Sequence, residues 1–194
     1  MTELLFLKLD IDQIREIYYS DMVSQFPDSE RRSFGNIRDM VCKGIYAGYG
    51  LYENGALRAY ALLALLPQYS AALLDYLAVP NEWKGKGYGS EMLERLRSVF
   101  DKTDRILIET EDPDALGGEA ARTAERRLGF YARNGFKEAA VLIDLFSVRY
   151  RLYVNQDCSD TDAELLETMT GIYRTIVPPK YYDANVHLEL RKEE

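Results

Sequence analysis

Histidine and cysteine are scarce in this chain. It has a single histidine, His187, and two cysteines, Cys42 and Cys158. Any Ser-His-Asp, Cys-His or multi-histidine metal chemistry would therefore hang on one residue. In Val186-His187-Leu188-Glu189-Leu190 the apolar residues alternate, which assigns His187 to the wet face of a strand. The cysteines lie far apart and match neither a zinc spacing nor a disulfide framework, so both read as free thiols and no metal site is expected. No run of about 18 apolar residues could span a bilayer, and no basic segment followed by an apolar run reads as a leader. A soluble, cytoplasmic protein without a membrane partner is expected. Positive charge is also in deficit, with a net charge of -8. That balance argues against a broad nucleic-acid contact surface and favours a small cationic substrate.

With 194 residues and 47% hydrophobic content, the chain can bury one sizeable core, and a single domain is expected. The segment from Leu73 to Ser90 organises it. Leu73-Leu74-Asp75-Tyr76-Leu77-Ala78-Val79 is short enough for a buried strand. Lys84-Gly85-Lys86-Gly87-Tyr88-Gly89-Ser90 is a glycine loop, and Met92, Leu93, Leu96, Val99 and Phe100 then recur at helical spacing. A glycine loop that opens a helix turns backbone N–H groups toward an anion. The helix dipole and the Lys84 and Lys86 side chains add attraction, so a pyrophosphate is the natural guest. A Walker loop is excluded because Gly-x-x-x-x-Gly-Lys-Ser/Thr is absent. A dinucleotide fingerprint is disfavoured, since Ser90 replaces its third glycine and several strands come first.

The elements on either side are legible. Leu4 to Leu7 with Leu9 reads as a strand, Asp10 and Gln13 as a capping box, and Ile11, Ile14, Ile17 and Tyr18 as a buried helical stripe. A break at Pro27-Asp28 precedes a second helix marked by Ile37, Met40 and Val41. Residues 45–52 and 57–66 form a hairpin around Asn54-Gly55. After the loop helix comes a strand, Arg105 to Glu109. Glu109, Glu111, Asp112 and Asp114 then crowd its end, either to receive an ammonium or as a solvated acidic loop. Ala121, Ala124, Leu128 and Tyr131 share a helix face before Asn134-Gly135 ends it. Two strands, Val141 to Phe146 and Val148 to Val154, follow. Thr161-x-x-Glu164 then opens an amphipathic helix stopped at Pro178-Pro179, and a strand spans Val186 to Leu190.

Lys84-Gly85-Lys86-Gly87-Tyr88-Gly89 resembles the acyl-CoA loop of the GNAT N-acetyltransferases, Arg/Gln-x-x-Gly-x-Gly/Ala, with Lys84 in the place of the usual Arg or Gln. Tyr131-Ala132-Arg133-Asn134-Gly135-Phe136 resembles the same family's Tyr-x-x-x-Gly-Phe. Ala124 stands where that family often has an asparagine seven residues before the tyrosine. The resemblance covers roughly residues 1–150 and is specific across about 45–136. It implies an α/β (α+β) fold with a mixed, largely antiparallel central sheet flanked by helices, spanning 1–154. Residues 155–194 would add a C-terminal helix and strand packed on the same domain.

By that resemblance the cosubstrate is acetyl-CoA, released as coenzyme A. Backbone groups of Leu77, Ala78 and Val79 would pair with the pantetheine arm. The N–H groups of Lys84, Gly85, Lys86, Gly87, Tyr88, Gly89 and Ser90 would hold the pyrophosphate, and Tyr131 would sit by the sulfur. Tyr18, Tyr19 and Phe34 would either line the acceptor pocket or pack in the core. Direct attack needs an unprotonated amine, whereas an alkyl ammonium has a pKa near about 10, so a base is required. Asp75, which interrupts an apolar strand, and Glu109 are the candidates, with Tyr131 as the general acid. The expected acceptor is a small-molecule or peptide amine, and the last strand is also suited to joining a second copy in a homodimer. The alternative is a non-catalytic acyl-CoA-binding or sensor module with the same fold.

Overall fold

The computed structural model describes residues 4–28, 30–100 and 105–191. The chain divides into two compact units, Met1–Leu65 with Ala72–Asp101, and Leu66–Ala71 with Lys102–Glu194.

The first unit begins with β1 (Leu4–Leu9) and α1 (Ile11–Ile17). Asp10 starts α1 through the expected capping box: its side chain accepts from the Gln13 N–H at 2.8 Å, and its own N–H donates to Gln13 Oε1 at 2.9 Å. A π turn, Tyr18–Met22, and the short α2 (Val23–Gln25) carry the chain on to α3 (Phe34–Cys42), which Ser33 caps through the Asn36 N–H at 3.2 Å. β2 (Tyr46–Glu53) and β3 (Ala56–Leu66) then form an antiparallel pair. At their turn Asn54 and Gly55 both have positive φ, 52° and 76°, the backbone that a two-residue hairpin requires. β4 (Ala71–Ala78) and α4 (Tyr88–Val99) complete the unit, whose strands run in the order β1-β2-β3-β4. Met92, Leu93 and Leu96 of α4 are each 0% exposed, and burial of such side chains stabilises by about 1.5–3 kcal/mol apiece.

The second unit consists of β5 (Arg105–Glu111), α5 (Gly118–Arg133), β6 (Phe136–Leu145), β7 (Val148–Asn155), α6 (Asp162–Ile176), α7 (Pro179–Asn185) and β8 (Val186–Leu190). Its strands run β5-β7-β6-β8, and all three pairings are antiparallel. A bulge in β6 between Glu138 and Leu142 shifts the register. Thr161 opens α6 by the predicted capping box, and Leu165, Met169, Ile172 and Tyr173 form its buried stripe. Gly171 permits close packing of that helix, because a Cβ there would lie 2.5 Å from the Tyr69 ring. α7 is unexpected. Pro179 occupies its first turn, where a missing N–H costs nothing and the fixed φ suits a helix. The same proline pair therefore ends one helix and starts the next. The fold class is as expected: mixed α/β, with largely antiparallel strands flanked by helices.

Candidate active site

The glycine loop lies wholly in the first unit. From β4 the chain passes Pro80, makes a 3-10 turn over Asn81–Trp83 and enters α4 at Gly87. Gly85 and Gly87 have φ of 76° and 88°. A Cβ at either would meet nothing within 4 Å, so the left-handed backbone, not crowding, demands glycine here. The first N–H to return to the preceding turn is that of Glu91, which bonds the Gly87 carbonyl at 3.1 Å, and no side chain caps α4. The Tyr88, Gly89 and Ser90 N–H groups thus have no helical partner, and the positive end of the dipole stands beside the exposed Lys84 and Lys86. That arrangement can hold a phosphate through backbone donors.

Side chains that sequence reasoning passed over brace this loop. Arg58 of β3 is only 6% exposed. Its guanidinium carbon lies 3.5 Å from the Trp83 ring centroid, and Lys86 Nζ lies 4.2 Å from the same centroid. Arg58 Nε donates to Glu53 Oε2 at 3.1 Å, and the Tyr88 hydroxyl donates to that same oxygen at 3.0 Å. Burial, then the Glu53 carboxylate, push the Tyr88 phenol upward. The available signal was a charged residue inside an apolar strand run, the same signal that singled out Asp75.

Asp75 points into the first unit with its demand for partners met. Its Oδ2 accepts from Arg32 Nε and from the Tyr46 hydroxyl, both at 2.6 Å. The Asp75 charge holds the Arg32 guanidinium more firmly protonated, and burial followed by Asp75 pushes the Tyr46 phenol well up. The Arg32 N–H donates to the Tyr76 hydroxyl at 2.8 Å, and that hydroxyl donates to the Glu30 carbonyl at 3.0 Å. Asp75 thus anchors the segment before α3 to β4. Beyond β4, the Val79 carbonyl accepts from Gln25 Nε2 at 3.3 Å, while Leu77 is half-buried and Ala78 buried. Tyr18, Tyr19 and Phe34 form one aromatic group with centroids 5.0–5.8 Å apart. Tyr18 is buried, and Tyr19 is 63% exposed.

In the second unit Tyr131 is half-buried on α5, its ring 6.3 Å from those of Phe136 and Tyr153 and 5.4 Å from that of Phe130. Burial pushes its phenol up to about 12, against the opposing pull of the Arg127 charge. Register separates it from Glu109. Ile108 pairs with Tyr153 and Glu109 with Leu152, so Tyr153 and Glu109 point to opposite faces of the strands. Tyr131 packs on the Tyr153 face, whereas Glu109 accepts a hydrogen bond from the Tyr173 hydroxyl of α6. Glu109, a candidate base from the sequence, thus lies on the strand face opposite the one on which Tyr131 packs.

The other acidic residues after β5 are also engaged. Glu111 pairs with Arg127 at 3.2 Å, and Arg151 bridges Asp112 at 2.7 Å and Asp114 at 2.6 Å. Asp112 is buried in its pair, Glu111 is half-buried, and Asp114 stays largely exposed. Among the described residues no group of three or more His, Cys, Asp or Glu side chains is placed to hold a metal. His187 is exposed, and Cys42 and Cys158 are free.

A family profile described as an acetyltransferase (GNAT) domain matches residues 46–138. No curated protein matches the sequence. Among solved structures, a Bacteroides thetaiotaomicron protein assigned to the GNAT family superposes with a TM-score of 0.71 at 18% identity, over 89% of this chain and 97% of its own. The ribosomal-protein-S18-alanine N-acetyltransferase of Escherichia coli gives 0.54 at 18% identity, over 79% of this chain and 93% of its own. Arabidopsis thaliana Naa50, in complex with the bisubstrate analogue CoA-Ac-MVNAL, gives 0.59 at 14% identity, over 78% and 97%. At these identities the superpositions show the fold alone.

Proposed function

We propose, from the premise that the chain belongs to the GNAT acetyltransferases through residues 46–138 and is an acyltransferase, that it moves an acetyl group from acetyl-CoA to the amine of a small molecule or peptide. The observation that carries this reading is the start of α4. Two left-handed glycines and three N–H groups without helical partners stand beside two lysines there, which suits the pyrophosphate of coenzyme A. In this reading Leu77, Ala78 and Val79 hold the pantetheine arm, and residues 1–154 are the catalytic domain that 155–194 completes. The proposed compartment is the cytoplasm. Among the described residues no helix is long and apolar enough to cross a membrane.

The reaction is direct attack within a ternary complex. The amine nitrogen adds to the thioester carbonyl, the amine gives up a proton, and the carbon–sulfur bond breaks as the Tyr131 phenol donates its proton to the departing thiolate. With its pKa up at about 12, Tyr131 is fully protonated at neutral pH and can act as that donor. Asp75 is assigned the amine's proton, taken directly or through a water. Arg32 and Tyr46 occupy its Oδ2, so the proton goes to Oδ1. Glu109, engaged by Tyr173, is assigned to anchoring α6. The test is release of coenzyme A thiol across a panel of amino acids, polyamines, aminoglycosides and peptides. Amine-dependent release with intersecting initial-rate lines is expected. Tight acetyl-CoA binding with no release on any amine would move the chain to the non-catalytic binding modules.

A further inference from the structure

Arg58 is a buried cation beneath a site that is itself positive. It is 6% exposed, and its Nη1 has no hydrogen-bond partner among the described residues. Removing a guanidinium from water is unfavourable unless something compensates. Glu53 supplies one charge partner, at 3.1 Å. The guanidinium carbon, over the Trp83 ring at 3.5 Å from its centroid, adds cation–π attraction. Lysine could not do both at once, because it lacks a plane that can lie over a ring while its edge donates.

The geometry has a direction. Trp83 closes the turn before the glycine loop, and Tyr88 is the first residue of α4. Arg58 holds the first by cation–π attraction, and it holds the second through Glu53, whose Oε2 also accepts the Tyr88 hydroxyl at 3.0 Å. Between those two fixed points lie Gly85 and Gly87, around whose Cα positions nothing would meet a Cβ within 4 Å. Backbone bonds hold the two ends of the loop, from the Lys84 N–H to the Asn81 carbonyl at 3.4 Å and from the Glu91 N–H to the Gly87 carbonyl at 3.1 Å. Lys86 Nζ, 4.2 Å from the Trp83 centroid, is oriented by the same ring.

We propose that Arg58 is a positioning residue for the phosphates of the cosubstrate. Through Trp83 and the Glu53–Tyr88 hydrogen bond it fixes both ends of the glycine loop, so that the N–H groups from Lys84 to Ser90 converge before a ligand arrives. The proposal rests on the acetyl-CoA reading and assigns the loop's pre-organisation to a residue outside it. Arg58 does not touch the ligand. Its effect falls on the nucleotide half of coenzyme A, because the braced segment is the phosphate segment.

Calorimetry on the full chain tests this with three probes: coenzyme A, its fragment 3′-phosphoadenosine 5′-diphosphate, and S-acetylpantetheine, which carries no pyrophosphate. Arg58→Met should weaken the first two by roughly tenfold, the size of one charge-assisted interaction, and leave the third within about twofold. Arg58→Lys should restore little of the loss. Tyr88→Phe removes only the tie to Glu53 and leaves the core untouched, and it should weaken coenzyme A by about threefold. It decides the matter if Arg58→Met does not fold. Equal losses on all three probes, or unchanged coenzyme A affinity in Tyr88→Phe, would overturn the proposal. A parent protein that binds neither coenzyme A nor its fragment would instead sink the acetyl-CoA reading itself.

Discussion

Tyr131 and Glu109 lie on opposite faces of the strands in the second unit. The register pairs Ile108 with Tyr153 and Glu109 with Leu152, and Tyr131 packs beside Tyr153 while Tyr173 reaches Glu109. If Tyr131 is the proton donor, a base on the opposite face is poorly placed to serve the same thioester. Glu109→Gln keeps an oxygen for the Tyr173 hydroxyl and removes the charge, so it should leave the acceptor KM and kcat within about threefold of the parent. A hundredfold fall in kcat, with the folded state intact by circular dichroism, would return Glu109 to the reaction.

The same hydrogen bond ties α6 to β5. Tyr173 is 2% exposed and Glu109 half-buried, so Tyr173→Phe removes one donor to a partly screened carboxylate at nearly constant volume and should cost about 1 kcal/mol of stability. Urea unfolding reads this as a lower midpoint at an unchanged slope. An unaltered midpoint would mean that the bond contributes nothing to holding the helix.

At Asp75 the roles of anchor and base can be separated. Asp75→Asn leaves Arg32 without its charge partner, and roughly 1–3 kcal/mol of stability should be lost. If Asp75 also takes the amine's proton, kcat should fall about 10²–10⁴-fold while acetyl-CoA affinity is kept. Arg32→Lys retains the carboxylate, so it should share the stability loss and spare most of kcat. Equal kcat losses in both variants would assign Asp75 to structure alone.

Gly87 has φ of 88° and open space around it, so any side chain there is opposed by the backbone and not by a neighbour. Gly87→Val should remove coenzyme A binding, because the start of α4 would have to leave the left-handed region. A folded Gly87→Val protein that binds as tightly as the parent in calorimetry would show that the loop is not the phosphate site.

The Tyr131 phenol, pushed up to about 12, fixes the sign of a pH dependence. Its folded pKa is raised, so the stability it contributes is present below the unfolded value of about 10 and is lost as pH rises through about 12. As the proposed proton donor it stays protonated over the same range. Its deprotonation should therefore put no alkaline limb on kcat below about pH 11. Tyr131→Phe should lower kcat about 10²–10⁴-fold with acetyl-CoA affinity nearly kept. An alkaline limb near neutrality that vanishes in Tyr131→Phe, or turnover within about threefold of the parent, contradicts the assignment.

Much of the fold could be read from local chemistry. Asp10 with Gln13, Asn54-Gly55 and Thr161 with Glu164 each specify their own few residues, and each sits as expected. The loop glycines were legible for the same reason. What was not legible depends on pairing across distance. The face on which Glu109 lies follows from its register with Leu152 of β7 and from α6, and neither is visible in a period-two pattern. Arg58 meets Trp83 only because β3 runs beneath the loop. The π turn at Tyr18–Met22 and the helix begun by Pro179 were missed because one inserted residue or one proline admits two local outcomes.

The central claim is acetyl transfer to nitrogen, and following the label is its most direct measurement. With acetyl-CoA carrying an isotope in the acetyl carbonyl and the amine panel as acceptors, mass spectrometry reads where the label goes. The account predicts that it appears in the amide of at least one amine, in step with free coenzyme A thiol. Label that remains in acetyl-CoA with every amine, while the protein binds the cosubstrate, would contradict it.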